Sequence, residues 1–452
     1  MCVIVLIRRT SNDDTIMRGI LAHLAMKEMR DCSSSLLTVG WYAELPQLNH
    51  SLSVAFATAP SPHVCYFLKE AWGPEPDLCH HAGAYTVFDV IDNDKRAGIF
   101  PGSHIFKSQL LAVKPFIDLH LVNTEYHAAY LRSVGVYAEA FPHPHSNFGV
   151  FGPDRANAMD FTRVGLMAGQ VANMPDNATL GRLGFQTCQA GMQLTLIISG
   201  RSGPQRLTCP SQFCPNLNCT KRQLPRHRAR SWASRSSPRT RAHVVRGTQT
   251  APDECARFVP RPLAPEATDE RDAERLNAML QRSPTVQRQQ TFYDWRQRAL
   301  PALAIVWEAT ALYGTSLHFF ASNRPQTRQL WWWTLGVPTI GSAGVLSARE
   351  LGSKVGLQAL HELNWLPDVR SALSCIQMVP GMYDEMRARV LNHSQHHGTV
   401  LASMRQLRDM VYALHNRTGG VVPPPKGDFL PYFKHKRDIP NERLVKHAFK
   451  DE

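Results

Sequence analysis

Apolar residues along this chain fall into two rhythms. Short runs such as Val3-Ile4-Val5-Leu6-Ile7, His63-Val64-Cys65-Tyr66-Phe67-Leu68, Tyr85-Thr86-Val87-Phe88-Asp89-Val90-Ile91 and Ile117-Asp118-Leu119-His120-Leu121-Val122 are rich in β-branched and aromatic residues and end in polar ones. Each predicts a buried strand. Between them apolar positions recur at helical spacing. Ile16, Met17, Ile20, Leu21 and Leu24 follow Ser11 and Asp13-Asp14, which predicts a capped helix, and residues 125–133 predict another that stops at Gly135 before a strand over 138–142. Strands alternating with helices predict a mostly parallel, doubly wound sheet.

The rhythm breaks in the Pro- and Asn-rich stretch 142–157 and starts afresh at Arg163-Val164-Gly165-Leu166-Met167-Ala168-Gly169. Further strands are expected at Leu303-Ala304-Ile305-Val306, Leu317-His318-Phe319-Phe320 and Val337-Pro338-Thr339-Ile340, with amphipathic helices between 382 and 414. Two series of strands and helices each need a core of their own, so the expected fold class is α/β with two Rossmann-like lobes. The expected division is an N-terminal lobe 1–155, a C-terminal lobe 156–420 and an extended tail 421–452. Residues 200–290 replace the apolar pattern with Ser, Pro, Arg and Gln and are expected to be a basic, disordered insertion in the second lobe.

Charge changes this picture little. The formal net charge is +13, but residues 177–252 hold 12 Lys or Arg and no Asp or Glu, so the rest of the chain is near +1. Nucleic acid is therefore not read as a partner. That class would rest wholly on the insertion, in which a single aromatic, Trp232, interleaves the basic residues. Six cysteines (Cys2, Cys32, Cys65, Cys79, Cys188, Cys375) lack a framework spacing, so the expectation is free thiols and a cytoplasmic location. The apolar start runs directly into Arg8-Arg9 and reads as a strand rather than a leader, and the stretch 300–321 is interrupted by Glu308 and His318, so no membrane span is expected. Asn-x-Ser/Thr triplets, among them those at Asn177, Asn392 and Asn416, matter only in a secreted chain and are taken here as chance.

The most informative segment is 319–341, where Asn323-Arg324-Pro325-Gln326-Thr327-Arg328 opens an apolar stretch containing Trp331-Trp332-Trp333 that ends at Gly336-Val337-Pro338-Thr339-Ile340-Gly341. It reads strand, loop, helix, glycine turn, strand. A helix N-terminus offers unpaired N–H groups and positive dipole charge, to which Arg324 and Arg328 would add contacts to a diphosphate. The bland alternative is an ordinary βαβ unit with two solvated arginines, and the tryptophans are expected mainly to pack the helix on its sheet.

This segment resembles the nucleotide-sugar half of glycosyltransferases of the two-lobed GT-B fold. Arg18-Gly19, Asp89-Val90-Ile91-Asp92-Asn93, His120-Leu121-Val122-Asn123-Thr124, Pro142-His143-Pro144-His145 and Val164-Gly165-Leu166 extend the resemblance over about residues 1–198 and 291–415. It implies a first lobe for the acceptor and a second for the donor, with Asn323, Arg324, Thr327, Arg328 and Trp331 at the donor. Many retaining members of that family carry two glutamates with seven residues between them, whereas the corresponding positions here are Asn323 and Trp331, which supply no carboxylate.

Other motifs are weaker. His143 and His145 are the candidates for a general base where the lobes meet, since activation of an acceptor hydroxyl needs a His or a carboxylate. Asp92-Asn93-Asp94 has the Asp-x-Asp form that holds divalent metals elsewhere, but Lys95-Arg96 follow and a turn is the simpler reading. Cys209, Cys214 and Cys219, with His227 and Cys255, do not match zinc-knuckle spacing. Neither metal nor cofactor is expected. The expected function is transfer of a sugar from a nucleotide-sugar donor to a hydroxyl acceptor, and the alternative is a non-catalytic nucleotide- or carbohydrate-binding α/β protein.

Overall fold

The computed structural model describes residues 2–8, 18–19, 21–29, 31–38, 45–57, 61–68, 75–90, 116–133, 135–144, 159–168, 175, 177–198, 252–263, 300–307, 326–365 and 367–423, and every structural statement below concerns these. In chain order the first series is β1 (Cys2–Arg8), α1 (Leu21–Lys27), β2 (Cys32–Thr38), α2 (Leu45–Phe56), β3 (His63–Leu68), α3 (Glu75–His81), β4 (Tyr85–Asp89), β5 (Leu119–Val122), α4 (Glu125–Ser133) and β6 (Ala138–Ala140). Its six strands form one parallel sheet in the order β2-β1-β3-β4-β5-β6. The chain reverses its direction of travel across the sheet between β1 and β3, which sets a switch point at their carboxyl ends.

Both faces of this sheet are covered, and β1 shows why its sequence is apolar throughout rather than alternating. Ile4 and Leu6 face one layer with Leu21, Ala25 and Met26 of α1. Val3, Val5 and Ile7 face the other with Leu48 and Leu52 of α2 and Leu131 of α4. A parallel strand buried on both sides has no solvent face to mark with polar residues. By contrast, β2 is an edge strand reading Cys32-Ser33-Ser34-Ser35-Leu36-Leu37, only half-buried beyond Cys32, and its polar composition conceals it from a search for apolar runs.

The second series is β7 (Met159–Ala168), α5 (Asn177–Gln189), β8 (Gln193–Ile198), the short α6 (Pro252–Cys255), β9 (Leu300–Val306), α7 (Thr327–Thr334), β10 (Thr339–Gly341), α8 (Leu346–Lys354), α9 (Pro367–Met378), α10 (Met382–His396) and α11 (Val400–Arg417). Its four strands are parallel, in the order β10-β9-β7-β8, with a switch point between β7 and β9. The chain thus forms two Rossmann-like α/β lobes. The expected strand at Leu317-Phe320 lies outside the described residues.

The second core is dominated by α7, whose last six residues are all buried. Trp331, Trp332 and Trp333 are 3%, 1% and 0% exposed, so the run packs a helix buried on every side. Trp332 lies across β7 because that strand offers a glycine there: a Cβ on Gly165 would stand 2.8 Å from the Trp332 ring and 2.9 Å from Pro301. The turn into β10 uses Gly336 at φ +70°, a conformation that costs a side-chain-bearing residue free energy.

Two expectations need correction. Within the supposed disordered insertion, residues 252–263 pack on the second lobe: Cys255 and Phe258 are buried, and Arg261 N–H donates to Gly356 C=O at 3.0 Å. Two apolar side chains in a polar stretch suffice to anchor a short segment, a signal that mean composition averages away. The cysteines are not free thiols either. Disulfides join Cys2 to Cys32, Cys65 to Cys79 and Cys255 to Cys375, and Cys188 is also disulfide-bonded. Residues distant in sequence meet across neighbouring strands or between helices, which linear spacing does not display.

Candidate functional site

Open parallel sheets bind ligands beyond the carboxyl ends of their strands, so the direction in which those ends face decides where a site can lie. The α8 helix springs from the carboxyl end of β10, and α4 begins just past the carboxyl end of β5. Glu350 of α8 joins them: its Oε2 accepts from the N–H of Glu125 at 2.8 Å and its Oε1 from the N–H of Tyr126 at 3.0 Å. One carboxylate from the second lobe therefore caps a helix N-terminus in the first, where negative charge also complements the helix dipole. This contact brings the carboxyl edges of the two sheets towards each other. On the first lobe, α11 returns across the chain to bury Val400, Met404, Leu407 and Val411 against the α1 layer. Arg408 pairs with Asp31 at 2.9 Å and Gln406 donates to Ala140 C=O at 3.2 Å. The last described helix thus completes the core of the first lobe.

In the second lobe, α7 turns at Gly336 directly into the amino end of β10, so its opposite end, the N-terminus, lies at the ligand-binding edge of that sheet. Gln326, at the N-cap, makes no side-chain cap bond to the helix and instead donates from Nε2 to Ser347 Oγ, bracing the start of α7 against α8. Thr327 and Arg328 occupy the first turn and are half-buried. Trp331 lies a turn further on, in the core, edge-on to Trp332 with ring centroids 4.8 Å apart. It holds the helix in place and offers no surface for a ligand. Asn323 and Arg324 lie outside the described residues, as do His145 and the Asp92-Asn93-Asp94 triplet.

Behind the first turn of α7 lies a buried polar network that sequence reasoning missed. His361 is fully buried; Gln329 Nε2 lies 3.3 Å and Thr339 Oγ1 3.4 Å from its Nε2, and Thr339 also receives the Trp333 Nε1–H at 2.9 Å. Two glycines make room for the ring: a Cβ on Gly352 would approach His361 Cδ2 to 2.4 Å, and one on Gly341 would approach Nδ1 to 3.1 Å. Burial pushes the pKa of His361 down to about 3, so the imidazole is neutral and serves as a hydrogen-bonding wedge between α7, β10 and α8.

The corresponding edge of the first lobe carries a buried charge. Arg18 is fully buried and its Nη1 lies 3.1 Å from Oδ2 of Asp89, the last residue of β4. Its Nη2 donates to Phe141 C=O at 3.0 Å, and its guanidinium sits 4.2 Å from the centre of the Phe141 ring. Tyr66 Oη–H donates to the same Asp89 oxygen. Burial first, then the Asp89 charge, raise the Tyr66 phenol well above its usual range, so it remains a donor. Arg18 and Asp89 were visible in the sequence, the latter as a lone carboxylate in an apolar run, but their pairing was not.

Just beyond lies His143, 2% exposed, its Nδ1 3.0 Å from Pro144 C=O. A carbonyl accepts only from N–H, so in this contact Nδ1 is the donor. Two further buried histidines, His120 in β5 and His127 in the first turn of α4, lie nearby. Burial, with a smaller contribution from His120, pushes the pKa of His127 down to about 3. Among the described residues no group of three or more His, Cys, Asp or Glu is placed to hold a metal ion. Nor is any described helix long and apolar enough to cross a membrane.

No family model matches this chain, and no curated protein matches it by sequence. Solved structures resemble it at low identity. The apo form of the lipopolysaccharide outer core galactosyltransferase WaaB shares 10% identity at a TM-score of 0.43, over 91% of this chain and 99% of that one. The α,α-trehalose 6-phosphate synthase of Burkholderia multivorans shares 11% at 0.43, over 92% and 97%. A UGT transferase from Siraitia grosvenorii in complex with UDP shares 8% at 0.40, over 91% and 100%.

Proposed function

We propose that this chain is a glycosyltransferase of GT-B type that moves a sugar from a nucleotide-sugar donor to a hydroxyl acceptor. The observation that carries the reading is the first turn of α7. It lies at the ligand-binding edge of the second sheet, bears Thr327 and Arg328, and is left uncapped by the Gln326 side chain. A diphosphate seated there would accept from first-turn N–H groups and from the Thr327 hydroxyl, with Arg328, and Arg324 upstream, neutralising its charge. The first lobe would present the acceptor opposite. His143 and His145 are the two candidates for the base that takes the proton of the attacking hydroxyl. As the new bond forms at the anomeric carbon, the bond to the β-phosphate oxygen breaks, and the α7 dipole stabilises the negative charge left on the diphosphate.

The non-catalytic alternative has one observation in its favour. Trp331, at one of the two positions where the resembled family places a carboxylate, is committed to the core. A thermal-shift screen against nucleoside diphosphates and their sugar conjugates, followed by a transfer or hydrolysis assay on every hit, separates the two. Selective stabilisation with turnover that is lost in His143→Gln but with binding retained supports the transferase. Stabilisation without turnover supports the binding protein, and absence of both removes the nucleotide site.

A further inference from the structure

Every cysteine among the described residues is disulfide-bonded. The pairs occur in both lobes: Cys2–Cys32 joins neighbouring strands, Cys65–Cys79 joins β3 to α3, and Cys255–Cys375 joins the short α6 to α9. All six of these residues are 3% exposed or less, and their Cα separations are 4.4, 6.2 and 5.2 Å. Isolated buried cysteines are ordinary core residues. Three separate pairs, with sequence separations of 30, 14 and 120, are what selection in an oxidising environment produces and what a cytosol kept reduced by glutathione does not. The expectation of a cytoplasmic location loses its ground.

In such a compartment the Asn-x-Ser/Thr triplets cease to be incidental. Asn49-His50-Ser51 lies on α2, Asn392-His393-Ser394 on α10 and Asn416-Arg417-Thr418 at the end of α11, and all three asparagines are exposed. Each can carry a bulky substituent without disturbing a core. Asn416 is also remote from the ligand edge: the neighbouring Thr418 Oγ1 bonds at 2.6 Å to the hydroxyl of Tyr85, which opens β4 at the amino end of the sheet. A glycan there leaves the carboxyl edge of the sheet clear.

We propose that this chain matures in an oxidising, glycosylating compartment, with Asn49, Asn392 and Asn416 as its N-glycan acceptors. In each transfer the Asn amide nitrogen would bond to the anomeric carbon of a lipid-diphosphate oligosaccharide. The bond from that carbon to phosphate oxygen breaks, the lipid diphosphate leaves, and the amide proton passes to a base of the transferring enzyme. Each cysteine pair would give two electrons and two protons to a disulfide-donating oxidase, which is reduced to its dithiol. The proposal is independent of the glycosyltransferase reading, since neither modification uses the first turn of α7.

The test is made on the full chain purified from the cells that produce it, with free thiols alkylated before lysis. Non-reducing peptide mapping should recover the three cystine-linked pairs. Digestion with peptide-N-glycosidase should lower the mass in up to three steps and convert Asn49, Asn392 and Asn416 to aspartate, and each of Asn49→Gln, Asn392→Gln and Asn416→Gln should remove one step. Six alkylated cysteines would overturn the compartment. Intact cystines with all three asparagines unmodified would overturn the acceptor assignment.

Discussion

Acidification should unfold the second lobe through His361, and the size of the effect follows from its surroundings. The ring is fully buried against Gln329, Thr339, Gly341 and Gly352, none of which carries charge, and burial pushes its pKa from the ordinary 6.5 down to about 3. At pH 5 the folded protein leaves this histidine neutral while the unfolded chain protonates it, so falling pH favours the unfolded state. Its contribution is complete above pH 6.5 and drains away as the pH drops towards 3. One proton taken up on unfolding is worth about 1.4 kcal/mol per pH unit, so lowering the pH from 6.5 to 5 costs about 2 kcal/mol. His127, with the same pKa for the same dominant reason, exacts a similar loss from the first lobe. Set against a typical domain stability of about 5–15 kcal/mol, this is a large effect in a range where most carboxylates are still ionised. Urea unfolding followed by tryptophan fluorescence reports on the second lobe through Trp331, Trp332 and Trp333. His361→Gln should lower stability at pH 7 but flatten its decline between pH 6.5 and 5 by about 1.4 kcal/mol per unit. A slope unchanged by that substitution would refute the buried neutral histidine.

Other substitutions probe separate parts of the account. Gly352→Ala drives a methyl to 2.4 Å from the His361 ring and should cost about 1–3 kcal/mol in the same urea experiment. Asp89→Ala strands the buried Arg18 guanidinium and should destabilise the first lobe by about 3–5 kcal/mol, with a smaller loss for Asp89→Asn, read by chemical denaturation. Glu350→Ala removes the two hydrogen bonds that cap α4 from the other lobe and should increase hydrogen exchange at Glu125 and Tyr126 while leaving the protection of β7 unchanged.

Much of this architecture is legible in the sequence because parallel sheets write themselves in continuous apolar runs. The β1, β3 and β4 strands are apolar on both faces, and the pattern 326–341 announces helix, turn and strand through Trp331-Trp332-Trp333 and Gly336. The edge strand β2 was hidden by its three serines. What periodicity cannot express is tertiary pairing: Arg18 with Asp89 across 71 residues of chain, Glu350 with the start of α4, or Cys255 with Cys375. Each is a long-range contact between residue types that also occur singly. The same holds for His361, whose role depends on two glycines that look like ordinary turn residues until the ring is found against them. For the candidate site, the sequence singled out Thr327 and Arg328 from their place at a helix start, and it took the fold to put that start at the carboxyl edge of the second sheet, through the turn from α7 into β10.

If the first turn of α7 holds a diphosphate, calorimetric titration with a nucleoside diphosphate should separate the wild-type chain from Arg328→Ala. Wild type should bind with weak affinity, because neither Asn323 nor Trp331 offers a carboxylate to the ribose. Loss of charge-assisted phosphate contacts in Arg328→Ala should reduce that affinity about tenfold to a hundredfold, equivalent to about 1.5–3 kcal/mol. Equal affinities for the two proteins would contradict the account.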